Sequence, residues 1–238
     1  MSPFIYSTLL QWRLDIRNKG ILLVNYIAPL IFFVIMGAVI TSINPDSKNT
    51  IIQSMTIFSV TMGAFLGTPV PLLDLYGSDM KKAYRTGNIP LWTAAASNAI
   101  SGFINMFIVS LIIFLISPIA FKATFPSNLP IYFLSLILFI FACLMIGTLL
   151  GLFIKNSSRL TMVSQLLFLP SLLLSGIMFP ANMLPKVFGY VARAFPATHA
   201  MKIMTSVSTG FVAYIPLIAI TAIAFLINIY RLAKMNLE

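Results

Sequence analysis

The chain has 238 residues, 59% of them hydrophobic and 8% charged. A soluble domain carries about 25% charged residues, so too few are present to solvate a globular surface, and the composition points to an integral membrane protein. The formal net charge of +10 does not indicate nucleic acid, because the basic residues flank apolar segments and do not gather on one basic face.

Residues 4–19 are expected to form an interfacial helix. Ile5, Leu9, Trp12 and Ile16 recur at helical spacing, while Gln11, Asp15 and Arg17 point elsewhere. Trp12 at headgroup depth, with Arg13, Arg17 and Lys19 toward anionic lipid, suits a helix lying flat on the inner leaflet. The alternative is flanking charge without regular structure. The segment does not read as a cleavable signal, because its apolar stretch is too long and no small-residue cleavage pattern follows.

Six runs are then long enough to cross a hydrocarbon core of about 30 Å: residues 21–42, 51–73, 89–117, 130–154, 160–178 and 211–230. The third is longer than needed and is expected to tilt or to start in the headgroup layer. None of the six contains Asp, Glu, Lys, Arg or His. Arg13, Arg17, Lys19, Lys81, Lys82, Arg85, Lys155, Arg159, Arg231 and Lys234 fall on one side, against Lys48, Lys122, Lys186, Arg193 and Lys202 on the other. The positive-inside rule then puts both termini in the cytoplasm.

Within this frame, Gly63 and Gly67 in the second run, and Gly147 and Gly151 in the fourth, allow helices to approach closely. Between the second and third runs lies LLDLYGSDMKKAYRTGNIPLW, residues 72–92. Asp79, Lys82, Ala83 and Thr86 share one side of a short helix, with Met80 and Tyr84 on another. Two readings are open: a helix that docks on a soluble partner, or a solvated connector. Asn98 and Asn105 are seven apart and share a face; they either hydrogen-bond between helices or line a polar path, for which Gln165 is a further candidate. Cys143 reads as a small packing residue. Pro170 removes a backbone donor deep in the fifth run and predicts a kink packed against other helices.

The fifth run breaks at Gly176 and Pro180. Val187, Phe188, Val191, Ala194 and Phe195 then follow helical spacing, Pro196 interrupts, and a second short helix is expected from about Thr198. Non-helical backbone at membrane depth survives only when buried in protein or facing a cavity, so this segment is expected to close the outer end of a pathway. The sequence has no phosphate-loop, H-E-x-x-H or G-x-S-x-G motif. Single His199 is expected to be a satisfied interfacial histidine, and no metal site is expected. Ion-coupled transport needs ionisable groups inside the membrane; the runs offer only neutral polar ones.

The order of these features, with a fifth run ending in LLLSGIMFPANMLPKVFGYVARAFPATHAMK, resembles the ABC-2 type transporter permeases. The carrying residues are Leu174, Ser175, Gly176, Phe179, Pro180, Leu184, Pro185 and the variant Pro196-Ala197-Thr198. The resemblance implies one all-α membrane domain over residues 1–238, with six spans and paired re-entrant helices between the fifth and sixth. It implies that Asp79, Met80, Lys81, Lys82, Tyr84 and Arg85 couple to an ATPase, and that Gly176, Phe179, Pro180, Pro185, Phe188, Pro196 and His199 belong to an outer gate. In the coupling loop the chain departs from the family's E-R-E-x-G-T-like run, carrying YGSDM at residues 76–80 instead.

The leading expectation is therefore a permease half of an exporter for a hydrophobic or amphipathic substrate, such as a peptide antibiotic, a drug or a lipid. Two separate ATPase subunits would bind ATP and Mg, a second permease half, identical or related, would complete the path, and a prokaryotic plasma membrane would hold it. The rival readings are an ATP-independent facilitator or channel, and a membrane scaffold without a transport role.

Overall fold

The computed structural model describes residues 3–77, 90–178, 185–206 and 210–237, and every regular element among them is helical. Helix α1 (Pro3–Arg17) precedes three long helices: α2 (Lys19–Ile43), α3 (Ile51–Tyr76) and α4 (Trp92–Phe121). Then come α5 (Leu129–Phe153), α6 (Ser157–Leu174), two short helices, α7 (Lys186–Ala192) and α8 (Pro196–Met204), and α9 (Phe211–Met235). Among the described residues, α2–α6 and α9 are the six helices long and apolar enough to cross a membrane. Their bounds lie within a few residues of the sequence reading. Helix α6 starts three residues earlier than expected because Asn156 caps it by accepting from the Arg159 N–H. It also ends earlier, at Leu174, ahead of Gly176 with φ of +86°.

The six alternate in direction. Tyr76, Leu91, Leu152, Leu232 and Met235, from the ends of α3, α5 and α9 and the start of α4, pack together at one end. At the other, the Thr124 N–H donates to the Lys48 carbonyl and its hydroxyl to Asn49 Oδ1, 3.0 Å away. Helix α3 is the axis of the bundle: 78% of its apolar window is buried, against 17% for α9. Its stretch from Ile51 to Thr61 is buried on all sides, polar residues included.

Two local distortions follow from proline. Pro29 in α2 and Pro69 in α3 lack the N–H that would bond to the carbonyl four residues back. In each helix the chain widens just before the proline into a single π turn, Leu23–Ile27 and Gly63–Gly67, with the Thr68 N–H reaching the Gly63 carbonyl at 2.9 Å. Pro196 differs from the sequence expectation. It occupies the first turn of α8 and so begins that helix instead of interrupting it, its fixed φ and missing donor being suited to that position.

Aromatic stacking closes the core. The Phe32 and Phe58 rings lie 3.8 Å apart, and Phe168 meets Phe58 edge-on at 5.8 Å, joining α2, α3 and α6. Where α5 crosses α3, glycines replace side chains. A Cβ on Gly147 would press on the Ala64 carbonyl oxygen, and one on Gly151 would lie 2.7 Å from Leu72 Cβ and 2.9 Å from the Pro69 carbonyl.

Candidate functional site

Helix α1 leaves Ile5, Leu9 and Ile16 of the expected apolar stripe exposed on the outside of the bundle, with Leu14, while Thr8 and Asp15 are buried. The polar face packs along α4: Ser7 Oγ meets Ser97 Oγ at 3.1 Å, Ser101 donates to Asp15, and Gln11 Nε2 donates to Asp15 Oδ1 at 2.8 Å. Trp12 belongs to this face and not to the lipid-facing stripe. Its Nε1 donates to Asn105 Oδ1 at 2.9 Å, an oxygen that also accepts from Tyr26 Oη at 2.7 Å. Arg13 and Arg17 remain exposed. Burial raises the Asp15 carboxyl above its ordinary value, an effect reduced by the hydrogen bonds from Ser101 and Gln11.

One Asn105 oxygen thus joins α1, α2 and α4. Asn98, two turns away, donates from Nδ2 to the Thr68 carbonyl at 3.1 Å, tying α4 to the π turn of α3. Both amides are engaged between helices, the first of the two roles open to them from sequence. The two π turns also meet: a Cβ on Gly63 would lie 3.2 Å from Asn25 Oδ1, and one on Gly67 would overlap it. The Gly63/Gly67 pair therefore seats an asparagine side chain from α2. Asn25, Tyr26 and Ser101 were missed by sequence reasoning; an amide four residues before Pro29 in the first run was the available signal for Asn25. Gln165 sits on the exposed face of α6 beside Met162, Leu166 and Leu169.

Asp79, Met80, Lys81, Lys82, Tyr84 and Arg85 lie outside the described residues, as do Phe179 and Pro180. The roots of the 78–89 segment are described and fixed. Tyr76 Oη donates to the Leu91 carbonyl at 2.6 Å, and the Thr93 hydroxyl donates to the Pro90 carbonyl at 2.6 Å. That end of the bundle also carries Trp92 at the start of α4, whose ring lies 6.1 Å from Phe4 of α1.

At the opposite end, the two short helices differ in environment. On α7, Val187, Phe188, Tyr190 and Val191 are exposed, and Pro185 precedes its first turn. On α8, Pro196, Ala197, Ala200, Ile203 and Met204 are buried against α3, α5, α6 and α9. His199 joins the two helices. Its Nε2 lies 2.8 Å from the Arg193 carbonyl, and because a carbonyl only accepts, that nitrogen carries the proton. Ser54 Oγ of α3 faces the Met201 sulfur of α8 at 3.9 Å.

Six alternating apolar helices, with polar side chains turned inward and short helices packed at one end, define a polytopic membrane protein. The family model described as ABC-2 type transporter matches residues 4–209, and the chain belongs to that family. It is a membrane-spanning permease subunit of an ABC transporter. No curated protein matches the chain.

Proposed function

We propose that the chain is one half of the membrane pathway of an exporter for a hydrophobic or amphipathic substrate: a peptide antibiotic, a drug or a lipid. Two ATPase subunits bind ATP and Mg and dock on the segment 78–89. A second permease half, identical or related, completes the path in a prokaryotic plasma membrane, with both termini cytoplasmic. One continuous domain over residues 1–238 carries this role. The observation that carries the reading is the course of α3. It runs from the fixed root of the docking segment at Tyr76 to the packed α8 at Ser54, a length of about 33 Å at ~1.5 Å per residue.

Closure of the ATPases moves Lys81, Lys82 and Arg85, and α3 carries that displacement as a rod to α8. The break at Gly176, Phe179 and Pro180, with Pro185, Phe188, Pro196 and His199, forms the outer gate, α8 re-entering the bundle and α7 skimming its surface. Support for a second half comes from Gln165. An exposed amide on a spanning helix has no partner in lipid, so this face of α6 suits another protein surface or the path itself. Two measurements test the reading. A tagged chain taken gently from its own membrane should carry a stoichiometric ATPase, and the triple replacement Lys81→Glu, Lys82→Glu, Arg85→Glu should lose both the ATPase and transport while still inserting. Transport that survives ATP depletion would overturn it.

A further inference from the structure

Where Tyr76 anchors the root of the 78–89 segment, the ends of α3, α5 and α9 leave a cavity of about 240 Å³ between them. Leu73 and Tyr76 of α3, Leu152 of α5 and Met235 of α9 line its inner part. Its charged part is Lys155, just past the end of α5, and Arg231, one turn before the end of α9. Among the described residues no carboxylate lines it, and neither cation has an ion-pair partner. Asp74, next to Leu73, is exposed on α3 and lies outside the lining.

The two cations are held differently. Lys155 is exposed, whereas Arg231 is half-buried. The Arg231 guanidinium carbon lies 5.3 Å from the centre of the Phe153 ring, a contact that holds it at the cavity rim. Its Nε is sealed inside the protein, but its two terminal nitrogens reach accessible surface and form no hydrogen bond among the described residues. A guanidinium offers such donors as a fork that matches phosphate oxygens, and an ammonium adds a second charge on a flexible stem. Half-burial makes a charge costly to leave without a counter-ion.

The surroundings indicate where that anion comes from. Phe153, Leu226 and Tyr230 are exposed on the outside of the bundle, so the rim at Arg231 continues into the lipid-facing surface of α5 and α9. The volume falls below the roughly 300–1,000 Å³ of sites that enclose a whole small molecule. It suits a phosphate group with the rest of its molecule outside. Basic pockets between membrane helices at the bilayer surface are suited to acidic head groups.

We propose that this cavity binds the phosphate of an anionic phospholipid. Arg231 and Lys155 pair with its oxygens, and the acyl chains run along α5 and α9 past Phe153 and Leu226. The site does not rest on the exporter reading.

The probe is dioleoyl-phosphatidylglycerol, titrated into the purified full chain in neutral detergent and followed by native mass spectrometry as the first bound lipid. Arg231→Gln and Lys155→Gln should each raise its half-saturation about fivefold. Lys155 is exposed, so its replacement tests the site without disturbing the fold. Arg159→Gln removes a positive charge from the same end, outside the cavity, and should leave half-saturation within about twofold of the wild type. Phosphatidylcholine with the same chains, whose choline cancels the phosphate charge, should need about fivefold more. Inorganic phosphate in large excess should not displace the lipid. An equal loss in Arg159→Gln and Lys155→Gln would reduce the binding to general charge attraction and overturn the proposal. Displacement by inorganic phosphate would overturn it too, by assigning the cavity to a soluble anion.

Discussion

Replacing Gly147 by alanine should separate the two most buried long helices of the bundle. At Gly151, one turn further along α5, an added Cβ would have to retreat from 2.7 Å to about 3.4 Å from Leu72 Cβ, an opening of roughly 0.7 Å. At Gly147 the demand is larger, and the obstacle is the Ala64 backbone carbonyl, which cannot rotate aside as a side chain can. Overpacking of this kind costs about 1–3 kcal/mol, and a backbone obstacle places Gly147→Ala near the upper limit. Gly189 supplies the control: a Cβ there meets nothing within 4 Å, and alanine in that helix gains on the order of 1 kcal/mol in propensity over glycine. Thermal unfolding in detergent, followed by loss of the monodisperse peak, should fall by roughly 5–10 °C for Gly147→Ala, on the scale of ~2–4 °C per kcal/mol for a chain this long. Gly189→Ala should be unchanged or slightly more stable. If Gly147→Ala unfolds with the wild type, the close approach of α3 and α5 is not what holds them together.

Three further outcomes follow from the polar contacts. Because burial raises the folded Asp15 carboxyl above its unfolded value of about 3.9, the folded state holds that proton more tightly. This group's contribution is therefore most favourable below about pH 4 and declines as pH rises toward the raised folded value. Asp15→Asn should flatten that decline in a pH series of melting temperatures, and an identical slope in both proteins would count against it. Asn105→Leu removes the acceptor shared by Trp12 and Tyr26 and should destabilise by about 2 kcal/mol, with Trp12 emission moving to the red in a Trp92→Phe background; an unmoved spectrum would mean that α1 is held by its other contacts. Tyr132→Phe deletes the 2.9 Å bond to Thr56 and should cost only about 0.6–1 kcal/mol, so a loss above 3 kcal/mol in the same melting assay would show that more than this bond had been disturbed.

The spans were legible in the sequence because the bilayer fixes their length and removes charge from their middles, leaving long apolar runs with basic ends. In helix α1 the apolar stripe of Ile5, Leu9 and Ile16 was legible and stays on the outside of the bundle, but the place of Trp12, counted with that stripe, was not. The competing stripe, Phe4, Ser7, Thr8, Gln11, Trp12 and Asp15, has helical spacing too and packs on α4 through Ser97, Ser101 and Asn105. Assigning Trp12 to this face needs knowledge of what the neighbouring helix offers, and no local pattern contains that. The π turns were half legible. Pro29 and Pro69 announced a disturbance, but that the two disturbances meet, with Asn25 seated over Gly63 and Gly67, depends on how α2 and α3 pack.

These contacts bear on how the bundle can move. Helix α3 is joined to α2 through Asn25, to α4 through the Thr68 carbonyl, to α5 through Gly147 and Gly151, and to α8 through Ser54. Three of these joints fall within or beside the π turn at Gly63–Gly67, near the middle of the helix, and the fourth near its start. A close-packed interface does not deform continuously, so a push at the Tyr76 end reaches Ser54 only if the π turn holds its shape. A helix weakened there would bend and absorb the displacement. If an ATPase docks at residues 78–89 as proposed, Gly67→Ala, whose Cβ would displace Asn25 from that turn, should therefore leave that binding intact while reducing transport. Loss of both together would mean that the mid-helix joint stabilises the fold and does not transmit motion.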